Sequence, residues 1–278
     1  MKASTGIGIG AAFAGLLMGA LMEGSKIAAF MNIPALLIVL GGTFGAVMAG
    51  AGMEAMKAIP TLYKKAMNAE KPDLNARVLQ IVDFAEKARR DGLLALDAEL
   101  ADIEDEFTRK GLQLVVDGTD PELIREILEN ELDGMCARHA AGARPFEKAG
   151  GFAPTMGIIG TVMGLVHVLE NLSRPNSLGP AISGAFIATL YGVGSANVIF
   201  LPVANQLKRL SEQEAELRAM TIEGILALQA GDNPRVVADK LLAFVPPAER
   251  VDPDQRDAAP TAAGGAAAEP EAEPAIAA

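Results

Sequence analysis

Four stretches of this chain, residues 3–22, 27–53, 149–169 and 175–207, contain no Asp, Glu, Lys or Arg. Each reaches the run of about 20 apolar residues that a helix needs to cross a hydrocarbon core about 30 Å thick. A bilayer offers no water to a loose backbone, so uncharged segments of this length fold as helices. The fold class is therefore an all-α membrane protein with four transmembrane helices and a large helical segment in water between the second and the third. The first window follows a single Lys2 and could be read as a cleaved signal peptide. Its glycines (Gly6, Gly8, Gly10, Gly15 and Gly19) and the second span that follows almost at once argue against that.

The third window reads GGFAPTMGIIGTVMGLVHVL over 150–169. Pro154, Gly157, Thr161 and Gly164 recur at helical spacing and form one small, partly polar stripe, while Ile158, Val162, Leu165 and Val166 take another face. Small residues let helices approach closely in lipid, so Gly157, Gly160 and Gly164 are expected packing positions. A proline cannot donate to the carbonyl four residues back, so Pro154 frees that of Gly150 and Pro202 that of Val198. At 1.5 Å per residue, Thr161 lies about 17 Å from the cytoplasmic start of its window, and Thr189 about 15 Å from the outer start of the fourth. Both hydroxyls are thus expected near the midplane. Two midplane hydroxyls above two proline-bent ends read as the wall of a passage. The plainer alternative is helix packing alone, with each threonine bonded to its own backbone.

The formal net charge of −11 belongs wholly to the aqueous parts and excludes a nucleic-acid protein, which would carry a basic face. Lys57, Lys148, Lys208 and Arg209 flank the spans and place 54–148 and the region after 207 in the cytoplasm. The link holding Glu170 and Arg174 then faces outside, and both termini are cytoplasmic. The lone Cys136 excludes an internal disulfide.

This gives a transmembrane hairpin over 1–53, a cytoplasmic helical domain over 54–148, helices three and four over 149–207, an amphipathic cytoplasmic segment over 208–245 and a Pro/Ala/Glu-rich tail over 246–278, disordered by composition from Asp252. Gly15/Gly19 and Gly41/Gly45 are small-xxx-small pairs suited to packing against neighbours. Within the cytoplasmic domain, periodicity predicts a helix over 76–100 with a bend at Gly92. A turn at Asp117–Gly118 precedes a cap at Thr119 or Asp120, with Pro121 opening a helix toward the third span. Pro145 should break or bend that helix. A separate amphipathic helix is predicted over 206–229, burying Leu207, Leu210, Leu217, Met220 and Ile225.

No catalytic constellation is visible, so the chain does not read as an enzyme and calls for no cofactor. His139 and His167, the only histidines, fall in different compartments and make no metal site. There is no phosphate-binding glycine loop followed by Lys-Ser/Thr. Intramembrane ion relays usually need an ionisable group, and the spans offer only His167 near the outer end. If ions pass here, the carboxylate comes from a partner chain.

At these residues the sequence resembles the MotA/PomA family of flagellar motor stator subunits. The resemblance covers most of 1–245 and is carried by APTMGIIGTVMGLVHVL, ATLYGVGSANVIFLPVANQLK and the cytoplasmic RRDGLLALD. It implies an ion-conducting stator subunit in the bacterial inner membrane, five copies of which form a ring around a MotB/PomB-type partner. That partner is a single-span, peptidoglycan-binding subunit that brings the essential Asp. Pro154 and Pro202 match the family's two functional prolines, and Thr161 and Thr189 match positions on the ion pathway. Arg89 and Asp97, with Arg90 and Glu99 beside them, match charges that meet the rotor switch protein; Asp97 stands where the family commonly has Glu. The transported ion is H+ or Na+, and the hydroxyl at Thr161 leans toward Na+, since hydroxyl oxygens suit a hard cation. The ExbB/TolQ class of envelope energisers is the near alternative, although it typically has three spans. A self-contained transporter or scaffold is the distant one.

Overall fold

A computed structural model describes residues 4–25, 27–68 and 71–251; the proposed tail from Asp252 lies outside them. Helix α1 spans Ser4–Met22, and a 3₁₀ turn follows at Ile27–Phe30. The second span is a continuous run of α2 (Ile33–Leu36), a π-helical turn (Leu37–Gly41) and α3 (Gly42–Asn68). In the aqueous domain come α4 (Leu74–Asp91), a 3₁₀ helix (Leu93–Asp102) and α5 (Glu106–Val116). The 50-residue α6 spans Pro121–Glu170. Next comes α7 (Pro175–Ser195), which passes through a second π-helical turn (Ala196–Phe200) into α8 (Leu201–Gln229), with α9 (Pro234–Leu242) last. Among the described residues there is no strand, and four helical runs are long and apolar enough to cross a membrane.

Local chemistry explains the helix ends. Asn32 accepts the Ala35 N–H at 3.0 Å and Pro34 stands in the first turn of α2; Asp120 does the same for Glu122 at 2.9 Å with Pro121 first in α6. Gly118 takes a φ of +73° at the turn before α6. Gly92, at +88°, ends α4, so the helix expected over 76–100 stops at Asp91 and the chain continues as a 3₁₀ helix. Gly52, at +84°, kinks α3 at the residue before the charge-free window closes.

Two other expectations are corrected. Pro145 does not break α6, which runs through it without interruption. An interior proline costs about 3 kcal/mol, but here Pro145 is buried, and its neighbours Ala143 and Phe146 pack against Ala66, Val203, Ala204 and Leu207. Burying one phenylalanine returns about 1.5–3 kcal/mol, so packing offsets the lost bond. Nor is 206–229 a separate helix. Leu207, Met220 and Ile225 are buried and Leu210 and Leu217 half-buried, but they belong to the rod that starts in the fourth span.

That rod organises the aqueous domain. One side of α8 sends Ile222, Ile225 and Leu228 against Phe84, Leu96, Leu112 and Leu128. The other sets Met220 and Ala227 against Val78, Ile81, Val237 and Leu241. Asp105 caps α5: it accepts the Thr108 N–H at 3.4 Å and the Thr108 hydroxyl at 2.5 Å, and pairs with Arg77 at 2.9 Å. Burial pushes its pKa up, but the Thr108 hydrogen bonds and the Arg77 charge together outweigh that and hold it below the usual carboxylate range.

Among the membrane helices the tightest contact is between α6 and α7. A Cβ on Gly192 would lie 2.4 Å from the Ala153 carbonyl oxygen; one on Gly157 would lie 2.9 Å from that of Ala188. Gly160 and Gly164 would meet the Ala188 and Ala185 methyls at 2.8 and 2.7 Å. The second span joins α6 where Met156 seats on Gly42. Gly15, Gly19, Gly41 and Gly45 have open space around them, so those small-xxx-small pairs pack nothing within one chain. Helix α1 leans on α3, the second π turn and α8, and none of its apolar window is buried.

Gly192→Ala should therefore destabilise the protein by about 1–3 kcal/mol through overpacking against rigid backbone. Gly194→Ala, with nothing within 4 Å of the new methyl, should not. Thermal unfolding in detergent distinguishes the two. Asp105→Ala should cost about 1 kcal/mol at pH 7, as lost caps do. Because the folded pKa is depressed, the carboxylate's contribution is full above its unfolded value of about 3.9 and fades as pH falls through the folded one. The melting gap between variant and wild type should accordingly narrow below pH 4.

Candidate functional site

The glycine contact between α6 and α7 carries the threonine pair. Thr161 and Thr189 face each other across it, half-buried, with hydroxyl oxygens 2.5 Å apart. Thr161 Oγ1 also lies 2.9 Å from the Ala185 carbonyl oxygen and 3.1 Å from that of Gly157. Its one hydrogen serves the carbonyls, so Thr189 donates to Thr161 Oγ1. Four oxygens from two helices thus gather at one point. Part of the plainer alternative is also present, because Thr161 does reach a carbonyl of its own helix four residues back.

The two prolines stand apart from this pair, one on α6 and one on α8. Pro154 is half-buried on α6, about 10 Å along the axis from Thr161. Pro202 is the second residue past the second π turn, where the Leu201 N–H reaches back to the Ala196 carbonyl, five residues away. A π bulge with a proline beside it leaves the local ladder incomplete, a usual seat of a bend. Pro202 lines a cleft toward α1. Where α6 passes below Pro154, it packs on α8: a Cβ on Gly150 would lie 2.4 Å from Leu201.

Tyr191 and Thr43 escaped the sequence reading. The Tyr191 hydroxyl donates to the Phe30 carbonyl and accepts the Asn32 N–H at 3.2 Å, tying α7 to the start of the second span. A phenol in an otherwise uncharged span needs such a partner, and that was the available signal. Thr43 is fully buried on α3, and its hydroxyl has no hydrogen-bond partner among the described residues. Nothing in the sequence marked it.

The spans supply no charged side chain to this site. His167 is exposed near the C-terminal end of α6, where the Asn171 amide donates to its backbone carbonyl at 2.9 Å. Among the described residues no group of His, Cys, Asp and Glu could hold a metal ion.

The charged residues sit far off, around the Gly92 corner. Arg90 pairs with Asp91 at 3.0 Å, and Glu99 is held by Lys87. Arg89 and Asp97 are exposed and make no ion pair among the described residues. The corner therefore presents one cation and one anion uncommitted, on α4 and on the 3₁₀ helix.

Comparison with known proteins accords with this architecture. A family model described as the MotA/TolQ/ExbB proton channel family matches residues 99–220. Motility protein A of Bacillus subtilis is 40% identical over 246 residues, 88% of this chain and 91% of its own length. Motility protein A of Borreliella burgdorferi is 38% identical over 90% of this chain and 96% of its own. Among solved structures, the flagellar MotAB stator complex of Bacillus subtilis superposes with a TM-score of 0.82 at 40% identity, covering 86% of this chain and 94% of that one. The similarity spans the aqueous domain as well as the membrane helices. This four-span protein belongs to the MotA/TolQ/ExbB proton channel family, within its motility protein A group.

Proposed function

We propose that this chain is the ion-conducting stator subunit of a bacterial flagellar motor and is not an enzyme. The observation that carries the reading is the meeting of Thr161 and Thr189 in a tight helix interface that has oxygens but no charge. Such an interface can line a cation's route without capturing the cation, so the carboxylate belongs to a second chain. The relatives solved as MotAB complexes support a MotB-type partner and an oligomeric ring, here read as five copies around it.

The orientation follows from the basic residues beside the spans: both termini and the helical domain lie in the cytoplasm, and the membrane is the bacterial inner membrane. Pro154 and Pro202 act as the bends through which a change at the midplane reaches that domain. Arg89 and Asp97 carry the contact to the flagellar rotor switch protein, with Arg90 and Glu99 as flanking charges already engaged within the chain. The ion is H+ or Na+. The clustered hydroxyl and carbonyl oxygens around Thr161 favour Na+, a hard cation that takes oxygen ligands.

Replacing Pro154 or Pro202 by Ala should abolish swimming while membrane content of the protein stays near wild type, read by motility tracking and immunoblot. Normal swimming with either variant would count against the reading. Thr161→Ala should lower swimming speed at limiting sodium and shift the sodium dependence to higher concentration. Undiminished wild-type speed in sodium-free medium would reassign the ion to H+.

A further inference from the structure

The cleft beside Pro202 is built on different chemistry from the threonine pair. It lies between α1 and the α7–α8 rod and has a volume of about 470 Å³. Gly8, Ile9 and Ala12 form one apolar wall and Val198 and Pro202 part of the other, with Thr5, Asn197 and Asn205 as polar groups among them. One end is different: Arg209 closes it, with Gln206 beside it accepting from the guanidinium at 2.5 Å.

Three features identify what fits. The first is length. Asn197, at the deep end, is 12 residues from Arg209 along the rod, about 18 Å. One leaflet of a hydrocarbon core is about 15 Å deep, so the cleft runs from the headgroup level to the middle of the bilayer and no further. The second is charge. Arg209 is exposed and has no carboxylate partner among the described residues, whereas neighbouring Lys208 is neutralised by Glu147. Its charge stands two residues beyond the uncharged window, at the depth of lipid phosphates on the cytoplasmic side, where anionic lipids attract basic residues. The third is that α1 leaves the wall open: a methyl on Gly8 would meet nothing within 4 Å.

We propose that this cleft is a binding site for an anionic phospholipid of the cytoplasmic leaflet, its phosphate on Arg209 and one acyl chain lying along Gly8, Ile9 and Ala12 as far as Asn197. The lipid would then form one side of the bend at Pro202, where the π turn leaves the helix ladder incomplete. The site rests on the orientation given above but not on torque generation.

The chain contains no tryptophan, so a single introduced one reports locally. The full chain carrying Ile9→Trp, reconstituted in phosphatidylethanolamine vesicles, would be titrated with brominated phosphatidylglycerol and, separately, with brominated phosphatidylethanolamine. Quenching should favour phosphatidylglycerol about fivefold, the selectivity expected of one basic residue near the surface. The preference should vanish in Ile9→Trp/Arg209→Gln and persist in Ile9→Trp/Lys208→Gln. Ile7→Trp, on another face of α1 and 68% exposed as Ile7, should show none. Equal preference at Ile7 and Ile9, or survival of the preference without Arg209, would overturn the site. So would absence of quenching at Ile9 by either lipid, which would mean that protein, such as a second copy of this chain, covers the cleft. A chain that drives swimming yet shows no lipid preference sinks this proposal alone; lipid preference in a chain that drives no motility sinks only the stator reading.

Discussion

Helices α6 and α7 touch backbone to backbone, and the rest of the membrane region follows from that contact. At Gly157 and Gly192 there is no room for a β-carbon, because a carbonyl oxygen of the opposite helix already occupies the space. In lipid the hydrophobic effect does little to press helices together, so close packing and hydrogen bonds must do it. The absence of side chains at these glycines is what draws Thr161 and Thr189 to within bonding distance. A bulkier pair of helices would hold the same hydroxyls apart, each paired only with its own backbone.

A second consequence is the separation of polarity along single rods. The uncharged interface occupies one end of α6 and of the α7–α8 rod, and the other ends enter a water-soluble core without a break in the helix. There α8 lies between two apolar clusters, so it cannot shift without disturbing both. Lys208 and Glu147 clamp α8 to α6 just beyond the uncharged windows, and Lys148 donates to the Gly50 carbonyl at 2.5 Å beside the kink in α3. The polar clamp sits where water first becomes available, and the glycine contact sits where it is not.

Much of this was legible in the residues. Charge-free length was enough to place a long apolar helix in each of the four windows, because exclusion of charge from lipid is enforced over a whole segment. Gly92, Gly118 and the Asp120–Pro121 start were legible because each is a local rule that needs no partner. Pro145 does not end the helix, because its effect depends on neighbours far away in sequence: Phe146 against Val203 and Leu207 holds the helix together. The same applies to 206–229, whose amphipathic pattern does not reveal that it continues a span. The residues Leu93–Asp102 carry helix-like periodicity, but the corner at Gly92 turns them into a tighter helix under Phe84 and Phe107. That the two threonines share one level of their helices was legible by counting residues; their direct contact was not, since rotation of one helix about its axis leaves no trace in level.

The continuity of α6 also sets a mechanical gain. Thirty-three residues separate Pro154 from Pro121, about 50 Å of unbroken helix. A tilt of only about 6° pivoting at Pro154 would carry the far tip sideways by about 5 Å, the length of one full helical turn. An adjustment no larger than an ordinary side-chain rearrangement at the pivot becomes, at the distal end, a displacement large enough to exchange one charged neighbour for the next.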